Sequence, residues 1–404
     1  MIQKLQIIII AGGSAKRMQP LVTHKSIFPF LGKPLLEHLL TNLTVFKATK
    51  TVIIAHPSVE QGIKKLTDAQ VIVQPEPLGM ADAVTSAKKS LDLSSPVLVV
   101  DVGAIQDPQV YVTFMNAITQ DPNTILLGGR KVSKYKHGGY FVFDQAQAVK
   151  GIIEKPGDSN MPSQYLKLVL DYYPKALDII ESIQTAKSKH DDLYEVALSS
   201  LIQSHGAKMV EVEGVHASLK HAPRVLDVME VFLSHYLVPG VDPTAQIAQS
   251  ATIVGKVQIG KNVRVFENAV IKGPAYIGDN TVVGNGALIR ESCIESDCEI
   301  GYNTEVARSY IGPYTKCHTS YVGDSILEGE INLAAGTITA NLRFDNRTVM
   351  VNLPSGRIDS TRRKFGSILA RGVKTGIHAS LMPGTVVEQD SIIGSEVQYA
   401  HGKK

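Results

Sequence analysis

The chain has 404 residues, 44% hydrophobic and 20% charged, with 41 basic and 38 acidic residues giving a net charge of +3. Such a length implies two or three domains with sizeable cores, and so even a charge balance offers no electrostatic argument for nucleic acid or an anionic membrane as a partner. No segment is long enough to span a bilayer, and Cys293, Cys298 and Cys317 form neither a disulfide framework nor a zinc spacing, so a reducing, cytoplasmic setting is expected.

The apolar run at residues 5–10 leads straight into glycine and reads as a buried strand, not a signal peptide. Further buried strands are predicted at 51–55, 70–74, 96–100 and 124–127, with helices at 34–44, 58–66, 80–91 and 108–119 between them. This alternation predicts parallel strands with crossover helices, an α/β sheet. Residues 140–142 and 151–153 read as a small antiparallel insert, 191–205 as a helix, 208–213 as a late strand and 224–236 as an exit helix. Pro239, Gly240 and Pro243 mark a linker, so domains of 1–238 and 243–404 are expected. Beyond it a branched aliphatic residue returns every sixth position: Ile253, Ile259, Val265, Ile271, Ile277, Val283 and Ile289. Neither a strand nor an α-helix has that period. It suits a triangular coil whose turns bury one continuous core. The array is expected from about 243 to 394, with an excursion near 341–363 and a frayed tail at 399–404.

The first strand ends in Ala11-Gly12-Gly13, and Arg17 and Lys25 follow. Backbone N–H groups of such a loop cradle phosphates, and two cations neutralise charge at a reacting phosphorus. A dinucleotide-binding turn is one rival, although the full GxGxxG is absent, and a structural turn with solvated cations is another.

AGG-x-x-x-R-M-x-P-L, Lys25, Pro29 and Gly32-Lys33-Pro34 resemble the signature of sugar-1-phosphate nucleotidylyltransferases. Gln74-Pro-Glu-Pro-Leu-Gly79 resembles that family's base-recognition segment and Gly151-Ile-Ile-Glu154-Lys155-Pro156 its sugar-side motif. The resemblance implies that Gly12, Gly13, Arg17 and Lys25 hold the nucleotide phosphates, Gln74 and Gly79 read the base, and Glu154 and Lys155 face the sugar phosphate. It also implies Mg²⁺ on two carboxylates, and here the sequence departs from the pattern. Gly103 and Leu219 stand where those carboxylates belong, leaving Asp101, two residues early, as the one acidic candidate. Two residues along a strand is roughly 6.5 Å, too far for the same coordination. The sequence therefore argues against Mg²⁺. The family's N-A-G-I-Y segment reads Leu166-Lys-Leu-Val-Leu170.

The six-residue repeat resembles the left-handed parallel β-helix of hexapeptide acyltransferases, which assemble as trimers. His318-Thr-Ser-Tyr321-Val-Gly-Asp, followed by Ala335-Gly-Thr-Ile-Thr-Ala-Asn341, is similar to the acetyltransferase half of bifunctional sugar-1-phosphate nucleotidylyltransferase/acetyltransferases. A thioester is attacked by a neutral amine, and a neutral imidazole can take the amine's proton, so His318 is the candidate base. Tyr321 and Asn341 are candidates for positioning the amine and acetyl group, with backbone N–H groups near Ala334–Ala335 for the oxyanion. Arg290 matches the family arginine on the sugar phosphate. A companion lysine falls on Ala307 with Arg308 adjacent, and another becomes Arg347. The run Arg362-Arg-Lys364 reads as a solvated turn, near the coenzyme by resemblance.

The expected fold is a Rossmann-like (GT-A-like) nucleotidyltransferase domain followed by a left-handed parallel β-helix. The expected function is acetyl-CoA-dependent N-acetylation of an amino-sugar 1-phosphate by a homotrimer or higher assembly. One alternative is an active nucleotidylyltransferase using UTP or dTTP. The other is a non-catalytic nucleotide-sugar-binding subunit that regulates an active paralogue.

Overall fold

The computed structural model describes residues 4–190 and 192–399; Asp191, the expected start of a helix, and the tail beyond Tyr399 lie outside them. Two compact units emerge: Met1–Ser14 with Leu36–His216, and Ala15–Leu35 with Ala217–Lys404. The division falls elsewhere than at the linker. The segment carrying Arg17 and Lys25, and the exit helix, pack with the repeat array.

The first unit is a nine-stranded sheet. Its strands are β1 (Gln6–Ala11), β2 (Lys50–Ala55), β3 (Gln70–Val73), β4 (Val97–Asp101), β5 (Leu126–Lys131), β6 (Gly139–Phe143), β7 (Val149–Glu154), β8 (Tyr165–Tyr173) and β9 (Lys208–Glu211). They lie in the order β7-β6-β8-β4-β1-β2-β3, with β5 on β8 and β9 on β5. β1 is parallel to both β2 and β4, with Ile9 opposite Ile53 and Val100. Both faces of these strands are covered, so they are continuous apolar runs instead of alternating ones. Helices α1 (Leu35–Leu43), α2 (Glu60–Lys64), α3 (Met80–Ser86), α4 (Pro108–Gln120), α5 (Ala176–Thr185) and α6 (Leu193–His205) complete it. β6 and β7 form the antiparallel insert that the sequence predicts. β8 and α5 have no counterpart among the predicted elements. β8 runs antiparallel to β4 in mid-sheet and carries a buried ion pair, Lys167–Asp171, inside its apolar run.

The second unit stacks three eight-stranded parallel sheets. One interior column runs Ile259, Ile277, Ile294, Ile311, Leu327, Leu369, Val387. A second runs Val265, Val283, Ile300, Cys317, Leu333, Thr375, Ile393. The third runs Ile271, Ile289, Val306, Val322, Thr339, Leu381. Each aliphatic side chain therefore stacks on its equivalent one coil away, in a single core. The excursion is an antiparallel hairpin, Met350–Leu353 with Gly356–Asp359, and Leu327 pairs with Leu369 across it, so the stack is not broken. The three cysteines are buried free thiols whose pKa values burial pushes up, that of Cys317 to about 12, which suits packing and not reactivity.

The exit segment begins with α7 (Val225–Val231), which grips the excursion. Arg362 donates to Asp227 and Glu230, and Arg224 to the Asp359 and Ser360 carbonyls. Arg362 is thus committed to carboxylates, not the solvated cation that its basic run suggests.

Glu295 is buried in the coil, and desolvation pushes its pKa up to about 7 from an ordinary 4.5. The native state then holds this proton more tightly than the unfolded chain. Stability contributed by Glu295 is complete below pH 4.5 and is lost as pH rises toward 7. Urea unfolding at pH 5 and 8 is expected to show a drop of the order of 3 kcal/mol attributable to this group. Glu295→Gln should flatten that component, and an unchanged pH profile would remove it.

Candidate functional site

In the coil unit the acetyl-transfer candidates lie on neighbouring turns of one face. Arg290 is opposite Ala307 and Glu305 opposite Tyr321; Ala307 in turn faces Gly323. Asp324 organises the next layer. Arg308 donates Nε and Nη2 to its two oxygens, both at 2.7 Å, and Asn341 Nδ2 donates to Oδ2 at 2.5 Å. Asn341 Nδ2 also donates to the Tyr321 hydroxyl at 3.1 Å. A carboxylate can only accept, so Asp324 fixes which way the amide faces: its NH₂ turns inward and its Oδ1 is the free acceptor. The Tyr321 oxygen accepts, so its proton stays available for donation. Gly323 is required beside them, because a Cβ there would lie 2.6 Å from both the Tyr321 hydroxyl and Asn341 Nδ2.

His318 is an exposed residue in the bend between the strands Lys316–Cys317 and Tyr321–Gly323. Its side chain makes no hydrogen bond to Tyr321 or Asn341; its carbonyl accepts from Ser320. Arg290 is ion-paired to Glu305 at 2.6 Å and half-exposed. Arg347 is exposed. The Ala334 N–H is spent on Thr375 Oγ1 at 3.1 Å, which leaves Ala335 for the expected oxyanion contact. Asp324 belongs to the H-x-x-Y-x-G-D run but was not singled out as a site residue by its type, since its role is to orient other side chains. Asp324→Ala is expected to lower acetyl-transfer kcat about 10²-fold, with KM for the acetyl donor little changed. Equal loss in kcat and rise in KM would point to a wider collapse.

In the α/β unit Gln74 is buried at the end of β3, its N–H on the Ala55 carbonyl. Its Nε2 donates to Asp82 Oδ2 at 2.6 Å, so Oε1 faces Gly12. A Cβ at position 12 would collide with that oxygen, which is why the loop requires glycine there. Asp82, in the first turn of α3, was missed by motif reading. Gly79 caps α3 at φ 98° and Gly13 is exposed. Glu154 ends β7 paired with Lys155 at 3.2 Å and lies beside Gly139. Next to it is a buried network in which Lys167 Nζ and the Tyr194 hydroxyl both donate to Asp171 Oδ2, at 2.7 and 2.8 Å. Glu195 is pushed up to about 7 by burial, against the pull of Lys167.

Asp101 ends β4 opposite Ile10, and its Oδ1 accepts the Gly103 N–H at 3.0 Å. Leu219 is wholly buried. Among the described residues no three metal-ligating side chains are grouped. Asp101 is thus the one carboxylate at the end of β4 where the resemblance implies a pair of metal ligands. Arg17 is exposed in the turn Lys16–Met18, and Lys25 opens the turn Lys25–Ile27; both belong to the coil unit.

Residues 6–215 match the nucleotidyl transferase family model, and residues 256–291 match the bacterial transferase hexapeptide repeats. A "Bifunctional protein GlmU" of Methanococcus vannielii is 32% identical over 96% of this chain and 93% of its own. The "Bifunctional sugar-1-phosphate nucleotidylyltransferase/acetyltransferase" of Sulfurisphaera tokodaii is 32% identical over 94% of this chain and 93% of its own. The chain belongs to this bifunctional transferase family. A crystal structure of UDP-glucose pyrophosphorylase complexed with UDP-glucose covers 57% of this chain and 98% of its own at TM-score 0.50 and 14% identity, a likeness of fold alone. Within the family, the amide-orienting carboxylates Asp82 and Asp324 are what the geometry adds to motif reading. No helix among the described residues is long and apolar enough to cross a membrane.

Proposed function

We propose that the coil unit N-acetylates an amino-sugar 1-phosphate with acetyl-CoA as donor. The observation that carries this reading is the hydrogen-bonded set Arg308–Asp324–Asn341–Tyr321 on one face of the coil. Asn341 Oδ1, facing outward, accepts from the amine and aligns it. Tyr321 donates to the acetyl oxygen or the sugar. His318, unencumbered by partners, takes the proton as nitrogen attacks the thioester carbon. The C–S bond then breaks and the coenzyme leaves as thiolate, which is reprotonated. The outer edges of Arg290 and Arg308 are suited to the sugar phosphate, since each uses only part of its fork on a carboxylate. The active assembly in this reading is a cytoplasmic homotrimer or a multiple of it. Thiol release from acetyl-CoA in the presence of glucosamine 1-phosphate tests it; no release above the hydrolysis rate would refute it.

A second reading rests on Gln74. Its Oε1, left as an acceptor on the Gly12 side by the Nε2–Asp82 bond, is matched to an imide N–H, which uracil and thymine carry and cytosine and adenine do not. With Gly103 and Leu219 at the metal positions, the α/β unit in this reading binds UTP or dTTP and transfers little or no nucleotide. It would then act as a nucleotide-sugar-binding, regulatory half, alone or beside an active paralogue. Pyrophosphate release from a sugar 1-phosphate with UTP or dTTP, abolished in Lys25→Ala, would instead establish a working nucleotidylyltransferase.

A further inference from the structure

Three successive coils stack their corners at His318. The His318 N–H donates to the Leu333 carbonyl at 3.0 Å, the Gly336 N–H to that of Thr319 at 3.1 Å and the His378 N–H to that of Ala335 at 2.9 Å. His318, Ala335 and His378 therefore follow one another along one corner of the coil. The residue with left-handed backbone at this corner is Asn303, Thr319, Gly336, His378 and Glu396 in turn. Side chains so different all fit, so the backbone does not call for an imidazole at His378. The ring is exposed, and a Cβ at Gly336 would collide with its Nδ1, which leaves Nε2 as the nitrogen turned away from the coil.

Ala335, whose N–H is the one left for the oxyanion, stands between the two imidazole-bearing corners. Successive strands of such a stack are about 4.8 Å apart, which separates the His318 and His378 corners by roughly 9.6 Å. A tetrahedral thioester adduct, with one hydrogen bond of about 3 Å at its nitrogen and another at its sulfur, spans roughly 9 Å. The stack thus puts an imidazole at each end of the bond exchange, His318 on the amine side and His378 on the sulfur side. Imidazole is the side chain that changes protonation near neutral pH, so one ring can take a proton while another gives one.

We propose that His378 is a further catalytic residue, the proton donor to the departing coenzyme sulfur. As the C–S bond breaks, its electron pair stays on sulfur, and the Nε2 proton of the imidazolium passes to that sulfur to give the thiol. His378 regains a proton from water, and His318 returns to water the one it took from the amine. The hydrogen lost by the amine is thus balanced by the hydrogen gained by the thiol. The inference rests on the reading that the coil unit acetylates an amino sugar, and it supplies the group that reprotonates the thiolate.

The test compares the full chain with His378→Asn and His378→Gly, both of which suit a left-handed corner. Each protein is assayed for N-acetylation of glucosamine 1-phosphate, with acetyl-CoA and with its oxygen-ester analogue, in which oxygen replaces the thioester sulfur. A thiolate can leave with little help, whereas an alkoxide needs a proton. Both variants are expected to lose about tenfold in kcat with the thioester and about 10²–10³-fold with the oxygen ester, with KM for acetyl-CoA unchanged. Equal losses with the two donors overturn the proton-donor role, because a displaced corner would slow both alike. Undiminished rates with both donors overturn it as well. So does a wild-type chain that uses acetyl-CoA but never the oxygen ester, since a proton donor at the sulfur would serve an alkoxide in its place. A wild-type chain that acetylates with neither donor overturns the acetyl-transfer reading and this proposal with it, and wild type alone distinguishes that failure from the others.

Discussion

Replacing His318 by alanine is expected to reduce acetyl transfer by about 10²–10⁴-fold in kcat, the usual contribution of a positioned general base. The argument combines chemistry and accessibility. An amino sugar is mostly protonated near neutral pH, and its ammonium form cannot attack a thioester. Within the set on this face, Tyr321 and Asn341 cannot act as base, because a phenol has the wrong proton affinity and an amide has none to speak of. Arg290 and Arg308 are cations held by Glu305 and Asp324. That leaves the imidazole. Its exposed side chain has no hydrogen-bond partner to lose, so the substitution should leave the melting temperature within a degree or two of wild type. KM for acetyl-CoA should also stay close to wild type, since the ring is assigned to proton transfer and not to binding. The measurement is coenzyme A thiol release over a range of both substrates. A variant that releases thiol at the wild-type rate would eliminate His318 as base and move the search to His378, whose ring lies against Gly336 in the next corner.

The sequence revealed most where one residue's environment repeats. The six-residue spacing places Ile259, Ile277 and their equivalents on the interior columns because each coil solves the same packing problem as its neighbour. The parallel strands were equally legible, since a strand buried on both faces shows as an unbroken aliphatic run. β8 was not, because Lys167 and Asp171 interrupt its run and their charges cancel only after folding. Asp82 and Asp324 were overlooked as site residues for a related reason: each acts by turning an amide, and that geometry has no sequence period. Nothing in the local sequence marks Glu295 and Glu328. Their partners are backbone N–H groups roughly 260 to 310 residues earlier in the chain, and no local pattern encodes such a contact.

The Lys167–Asp171 pair offers the sharpest stability test. Both side chains are essentially excluded from solvent, at 3% and 0% exposure. Asp171 Oδ2 receives Lys167 and Tyr194, while Oδ1 is buried with no partner among the described residues. Burial drives the carboxyl pKa up, and Lys167 is the main force pulling it down. Lys167→Met removes that force at nearly constant volume and strands an ionised carboxylate in the sheet. A loss of about 3–5 kcal/mol is expected at pH 8. The sign of the pH dependence follows from the raised pKa: acid protonates Asp171 in the variant and relieves the uncompensated charge, so the deficit should shrink as pH falls to 5. Lys167→Met with Asp171→Leu removes both charges and should recover most of the loss, because desolvating the pair costs about as much as its attraction returns. Urea midpoints for the three proteins at both pH values decide it. If the single variant unfolds like wild type at pH 8, the network around Tyr194 is carrying the carboxylate without the lysine. The strand would then owe its place between β4 and β5 to aliphatic burial alone.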